Sequence, residues 1–282
     1  MEKIAWITDS TCYIDPTFQK NNQIFIVPMN ISFENETFKD GIDISEETFY
    51  QKLTSSPSLP KSSQPSIGEL VELYENLKSQ FDLGIAVHVS SELSGTVHTA
   101  RQAAEIADFP LFIVDSKLIS LPMFYMIRKA QNMVRDGIPI SDVVRKLENM
   151  YRSNQLYVMV GSLEQLHKGG RVSTIQMVMG SLLKIKPILT FRDGKIIPCE
   201  KVRTNPKALL SMVSKLQNDI ENGHRVETVF ILSGKASAES EIVKEQIRSL
   251  FSEIEIITGP LGSAIGVHAG EGTIGISWFR ES

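Results

Sequence analysis

Short apolar runs separated by longer amphipathic stretches dominate the first 160 residues. The runs at 3–7, 23–29, 85–89, 111–114 and 156–160 are brief and apolar, as buried parallel strands are. Residues 45–53, 66–80, 96–107, 121–135 and 141–152 carry helical spacing instead. Two capping boxes mark helix starts, Ser66 with Glu69 and Ser162 with Gln165. Residues 54–65, rich in Ser and Pro, read as a loop. Strand and helix in alternation predict a largely parallel, helix-flanked sheet.

Beyond that point the pattern changes. Residues 186–191 and 195–202 flank Asp193-Gly194, which predicts an antiparallel hairpin with a tight primed turn. Asn205 and Pro206 open a helix to about residue 222, as N-cap and first-turn proline. A strand over 227–232, a helix over 237–250 and strands over 253–258 and 273–278 complete the chain. The pattern therefore predicts an α/β protein of two domains, a parallel one at 1–163 and a mixed one at 164–282. Open parallel sheets bind ligands beyond the carboxyl ends of their strands, so the site is expected there, in the cleft between the domains.

The richest stretch chemically is 84–107. Its apolar run ends in Ser90, Ser91, Ser94, Gly95 and Thr96, and a helix follows. Backbone N–H groups, hydroxyls and the positive end of a helix dipole then surround one spot that favours an oxyanion. A lone serine there would be an ordinary N-cap; a run of four hydroxyls is more than a cap requires. Asp9, Ser10, Asp115 and Ser116 fall at the ends of neighbouring strands.

Composition narrows the partners. The 282 residues carry a net charge of −4, which argues against nucleic acid as the main partner. Two cysteines, Cys12 and Cys199, without metal-ligand or CxxC spacing suit a reduced cytoplasm. No signal peptide, membrane span, P-loop or metal-ligand cluster is evident, so no cofactor or metal is expected.

Three more groups carry chemistry. Lys61 to Ser66 precede a helix and suit either a turn or an anion nest. Leu166-His167-Lys168-Gly169-Gly170-Arg171-Val172-Ser173 places cations around a glycine pair, which permits close approach, and Arg171 offers a planar fork for a carboxylate or phosphate. His268 lies among Gly266, Gly270 and Gly272, little shielded, and could donate to an oxyanion or act as acid or base. The apolar stretches at 118–127 and 175–189, with Met123, Met126, Met177 and Met179, are mostly core, though methionine also suits an adaptable pocket. A carboxylate site facing such a pocket fits a fatty acid. Burying about 14 methylenes at about 0.8 kcal/mol each contributes roughly 11 kcal/mol gross, so the tail would drive affinity and the polar end would set orientation.

TDST at 8–11, SSQPS at 62–66, SSELSGT at 90–96, VDS at 114–116, LHKGGRVS at 166–173, IKPIL at 185–189, KVRT at 201–204 and GVHAGEGTIG at 266–275 occur in one order along the chain. In that order and spacing the chain resembles the DegV family over its full length. The resemblance implies a cytoplasmic protein that binds a long-chain fatty acid such as palmitate. It further implies a non-enzymatic role as the acyl-carrying subunit of fatty acid kinase. A separate ATP-dependent, dihydroxyacetone kinase-like subunit would phosphorylate the carboxylate, and the acyl phosphate would serve phospholipid synthesis. Transient contact with a membrane surface fits that role.

By motif, Ser62, where the family usually has threonine, and Ser94 resemble the hydroxyls that bind the carboxylate, with Ser63 as the alternative register. Arg171 and His268 resemble the other members of the carboxylate network, and Arg203 a basic residue used with the kinase. The chain departs from the family at Leu121-Pro122-Met123, where many members have Gly-x-Gly, at Glu271, where proline is common, and at Lys184, where asparagine is. These changes bear on tail preference. A different class of function stays open: Ser94 or Ser62 with His268 and Asp9 or Asp115 could form an acyl ester hydrolase triad, without a GxSxG elbow.

Overall fold

The computed structural model describes residues 2–172 and 185–281. Ser173, Lys184 and most of the methionine-rich stretch at 175–189 therefore lie outside the described residues. The chain divides into two compact units, residues 1–151 with 262–264, and 152–261 with 265–282.

The first unit begins with β1 (Ile4–Asp9), α1 (Pro16–Asn21), β2 (Ile24–Val27), β3 (Asn30–Phe33), β4 (Glu36–Lys39) and α2 (Glu46–Ser55). It continues through β5 (Lys61–Ser63), α3 (Ile67–Lys78), β6 (Leu83–His88), α4 (Thr96–Ala107), β7 (Leu111–Asp115), α5 (Leu121–Arg135) and α6 (Ile140–Met150). Its main sheet runs β2-β1-β6-β7, with every pair parallel. One face buries Ala5, Ile7 and Ala86 against Leu70, Tyr74 and Leu77 of α3 and Ala100, Ala103 and Ala107 of α4. Alanines at this spacing let α4 lie close on the sheet. Helix α5 is apolar for two turns, and all of Leu121, Pro122, Met123, Phe124, Tyr125, Met126 and Ile127 are buried, as a helix without a polar face must be.

The second unit contains β8 (Asn154–Met159), α7 (Leu163–Lys168), β9 (Lys186–Arg192), β10 (Lys195–Val202), α8 (Asn205–Glu221) and β11 (Thr228–Gly234). Helix α9 (Ser237–Leu250), β12 (Glu255–Pro260), α10 (Ser263–Ala269) and β13 (Thr273–Phe279) follow. The sheet order is β10-β9-β8-β13-β11-β12, with only β11 and β12 parallel, so it is mixed. The predicted hairpin turn forms, with positive φ at both Asp193 (48°) and Gly194 (83°). Trp278 Nε1 and the Arg280 guanidinium both donate to Asp219, tying β13 to α8.

Four elements differ from the sequence expectation. The 54–65 loop contains β5, which joins β3 and β4 in a separate antiparallel sheet, β4-β3-β5. Strands of three or four residues give too few alternations to read. Helix α1 is a six-residue turn held by its Asp15 cap. The strand expected at 156–160 pairs with β13 and β9 in the second sheet. The segment around His268 is helical, with Gly266 interior to α10 despite the low helix propensity of glycine.

Candidate functional site

Each unit assembles part of the predicted set. In the first, the chain leaves β1 for β2 on one side, while β6 pairs on the other. Such a reversal leaves an opening beyond the strand ends, where loops from β1 and β6 meet. A buried polar network occupies this point. Asp9 Oδ1 accepts from the Thr11 N–H (3.1 Å) and hydroxyl (2.5 Å), and Oδ2 from His88 Nδ1 (3.0 Å) and the Val89 N–H (2.9 Å). Asp9 and His88 are fully buried, and His88 Nε2 has no hydrogen-bond partner among the described residues.

His88, the last residue of β6, is a buried polar group that the sequence reading does not single out. Its signal was an ionisable side chain closing an otherwise apolar strand.

The serine run follows directly. The Ser94 N–H donates to the Ser90 carbonyl (3.1 Å), and the Ser94 hydroxyl lies 2.8 Å from that of Thr96 while accepting from the Thr96 N–H (3.3 Å). Gly95 caps α4 with no side-chain bond of its own. A Cβ on Gly95 would stand 2.7 Å from Gln64 Nε2, so the glycine admits the Gln64 side chain. Gln64 also reaches the Thr99 hydroxyl at 3.4 Å, and Asn30 Nδ2 donates to the Gln64 carbonyl at 3.3 Å. These contacts bring the SSQPS and SGT segments together within the unit. In β5, Ser62 pairs with fully buried Ile31 and shares its face, whereas Ser63 pairs with Asn30 on the opposite, exposed face.

Asp115 has other partners. Burial opposes its ionisation, but Lys117 (2.7 Å) and the Ser91 hydroxyl and N–H outweigh that and hold its pKa below the usual carboxylate range. With Asp9 and Asp115 both committed within the first unit, neither carboxylate is available to orient His268, and Ser94 is bonded to Thr96. The hydrolase arrangement is therefore not favoured.

In the second unit the structure brings Arg171 and His268 together. Arg171 Nη1 donates to the Gly169 carbonyl at 2.6 Å. A Cβ on Gly169 would collide with His268 Nδ1 and lie 2.9 Å from the Gln165 carbonyl oxygen, so only glycine lets the ring approach α7 this closely. The Gln165 side chain donates to the Val267 carbonyl at 3.3 Å, and the Ser162 N–H to that of Ala269 at 3.0 Å. Contrary to the expectation of an unshielded ring, burial depresses the His268 pKa, and the positive charge of Arg171 adds to it, giving about 4. His268 is thus neutral at pH 7 beside a permanent cation. Arg203 is exposed just beyond β10, where Thr204 caps α8. Among the described residues no group of three or more His, Cys, Asp or Glu could hold a metal ion, and no helix is long and apolar enough to cross a membrane.

Comparison with known proteins places these motifs in a family. The sequence model described as an uncharacterised protein of the DegV family matches residues 3–281. Protein DegV of Bacillus subtilis is 35% identical over 277 residues, covering 98% of both chains. The crystal structure of DegV, a fatty acid binding protein from Bacillus subtilis, superposes with a TM-score of 0.91 at 34% identity, covering 100% of each chain. A structure reporting fatty acid binding of a DegV family protein from Thermus thermophilus gives 0.92 at 25% identity, covering 99% of this chain and 100% of that one.

Proposed function

We propose a fatty acid carrier, on the premise that the chain belongs to the DegV family. In this reading it binds one long-chain fatty acid, with the tail enclosed and the carboxylate held by neutral donors and one cation. Ser62 and Ser94 supply hydroxyls from the first unit, and Arg171 and His268 supply the charged fork and a neutral imidazole from the second. Ser62 rather than Ser63 is assigned because it faces the buried side of β5. Leu121, Pro122 and Met123, at the start of buried α5, line the tail and shape its preference. A separate ATP-dependent kinase subunit converts the bound acid to acyl phosphate in the cytoplasm, with transient membrane contact for exchange, and Arg203 serves the kinase.

The observation that carries the reading is the Arg171–His268 pair. A permanent cation beside an imidazole kept neutral is suited to an anion, and hydroxyls such as those of Ser62 and Ser94 are donors of the kind a carboxylate accepts. The test is native mass spectrometry of the purified protein, followed by extraction and identification of what it holds. One stoichiometric fatty acid supports the carrier. A protein that is empty and stays empty when offered a fatty acid series rejects it.

A further inference from the structure

Two carboxyl groups outside the proposed head-group set hold a short strap of chain. Residues 262–264 come late in the sequence yet belong to the first unit. Asp40 is 6% exposed, and its Oδ2 accepts the Ser10 hydroxyl at 2.8 Å and the Ala264 N–H at 3.4 Å. Ser263 adds bonds from its side chain and its backbone. The Ser10 hydroxyl is itself fixed by the Met29 N–H at 3.0 Å, and the Asp40 N–H returns to the Met29 carbonyl at 2.9 Å. Glu46, in the first turn of α2, accepts the Gly262 N–H, and its Oε1 is buried without a hydrogen-bond partner among the described residues.

Burial raises both carboxyl pKa values, and the charge of Asp40 raises that of Glu46 further. Tyr13 is the neighbouring titratable group, its own pKa raised by burial, Asp15 and Glu46. Apolar contacts could anchor three residues at less cost than two desolvated carboxyls, so the arrangement points to a demand for direction. Asp40 Oδ2 holds the Ala264 N–H and Glu46 holds the Gly262 N–H, and these bonds fix how the chain enters α10. His268 lies on that helix, four residues after Ala264.

We infer that Asp40 and Glu46 are positioning residues for His268: they fasten the first turn of its helix, and carboxylate binding depends on that hold. The inference rests on the carrier reading for its ligand.

The test uses the full chain with palmitate as probe and compares wild type with Asp40→Ala, Asp40→Asn and Glu46→Gln. Palmitate affinity is measured together with hydrogen exchange at the amides of Gly262, Ser263 and Ala264. Asp40→Ala should weaken palmitate by about tenfold or more and speed exchange at these three amides, as expected for loss of buried acceptors. Asp40→Asn, which keeps an acceptor oxygen, should recover most of both. Amides of β1 and β6 should not change.

Because the strap's hydrogen bonds favour the ionised carboxyls while burial raises their pKa values, protection of the strap should fall on acidification as Asp40 and Glu46 take up protons. Glu46→Gln should flatten that slope. Equal palmitate affinity in wild type and Asp40→Ala overturns the inference, as does loss of affinity that Asp40→Asn does not rescue. If wild type fails to bind palmitate, the carrier reading falls, and the exchange data still decide whether the carboxyls hold the strap.

Discussion

Acid should destabilise this protein through His268, and the size of the effect follows from its surroundings. The folded ring has a pKa of about 4, against an ordinary 6.5. Above pH 6.5 the ring is neutral in both states and contributes nothing. As the pH falls from 6.5 to about 4, the unfolded chain takes a proton that the folded chain refuses. Stability then declines by up to about 1.4 kcal/mol per pH unit, to a total of about 3 kcal/mol. That total is an upper figure, since the ring is not wholly shielded from solvent. Asp40 and Glu46, with raised pKa values, act in the opposite direction over part of the same range. The informative quantity is therefore a difference. Urea unfolding from neutral pH to pH 4 should be measured for wild type and His268→Gln, whose amide does not titrate. The wild-type curve should fall more steeply by the amount above, and imidazole NMR should give the same low pKa. Parallel curves, or a ring that titrates near 6.5, would refute the argument that burial and Arg171 keep His268 neutral.

Two further outcomes follow from the packing. Asp9→Ala removes the acceptor of four buried donors and leaves His88 without its partner; urea unfolding should show a loss of about 3–5 kcal/mol, and a loss below about 1 kcal/mol would mean that the network contributes little. Gly169→Ala places a methyl group against His268 Nδ1, so fatty acid affinity, measured by displacement of a fluorescent fatty acid, should drop about tenfold or more while stability changes by about 1–3 kcal/mol; unchanged affinity would separate the ring position from ligand binding.

Much of this fold is legible because its signals are local. The capping box at Ser66, the Asp193-Gly194 turn and the proline in the first turn of α8 each act within a few residues and form as expected. By contrast, Ser162 caps α7 with the Gln165 side chain turned to Val267 instead of closing a box, and Thr204 rather than Asn205 caps α8. The β4-β3-β5 sheet is not legible, since strands this short depend on partners up to 33 positions away, as in the pairing of Asn30 with Ser63. The same limit applies to the site. Hydroxyl runs, the glycine pair and the lone C-terminal histidine mark themselves by composition. His88 and the Asp40–Glu46 pair do not, because their meaning comes from burial and from segments 79 and more than 200 residues distant.

On the carrier reading, the proposed head group suits a carboxylate that a kinase would later phosphorylate. A kinase needs the carboxylate oxygen as a nucleophile, so a receptor that neutralised it fully would stabilise the ground state as much as any transition state. Three of the four groups in the proposed set are neutral: the hydroxyls of Ser62 and Ser94, and an imidazole that burial and Arg171 keep unprotonated at pH 7. Protonated, His268 would form a second ion pair and hold the carboxylate more tightly. On that reading the Arg171 charge that would attract the ligand also limits how strongly its neighbour could hold it, and most of the affinity would be left to the tail. Binding should in consequence raise the His268 pKa above about 4, because the incoming carboxylate offsets the influence of Arg171, and imidazole NMR with and without fatty acid checks this.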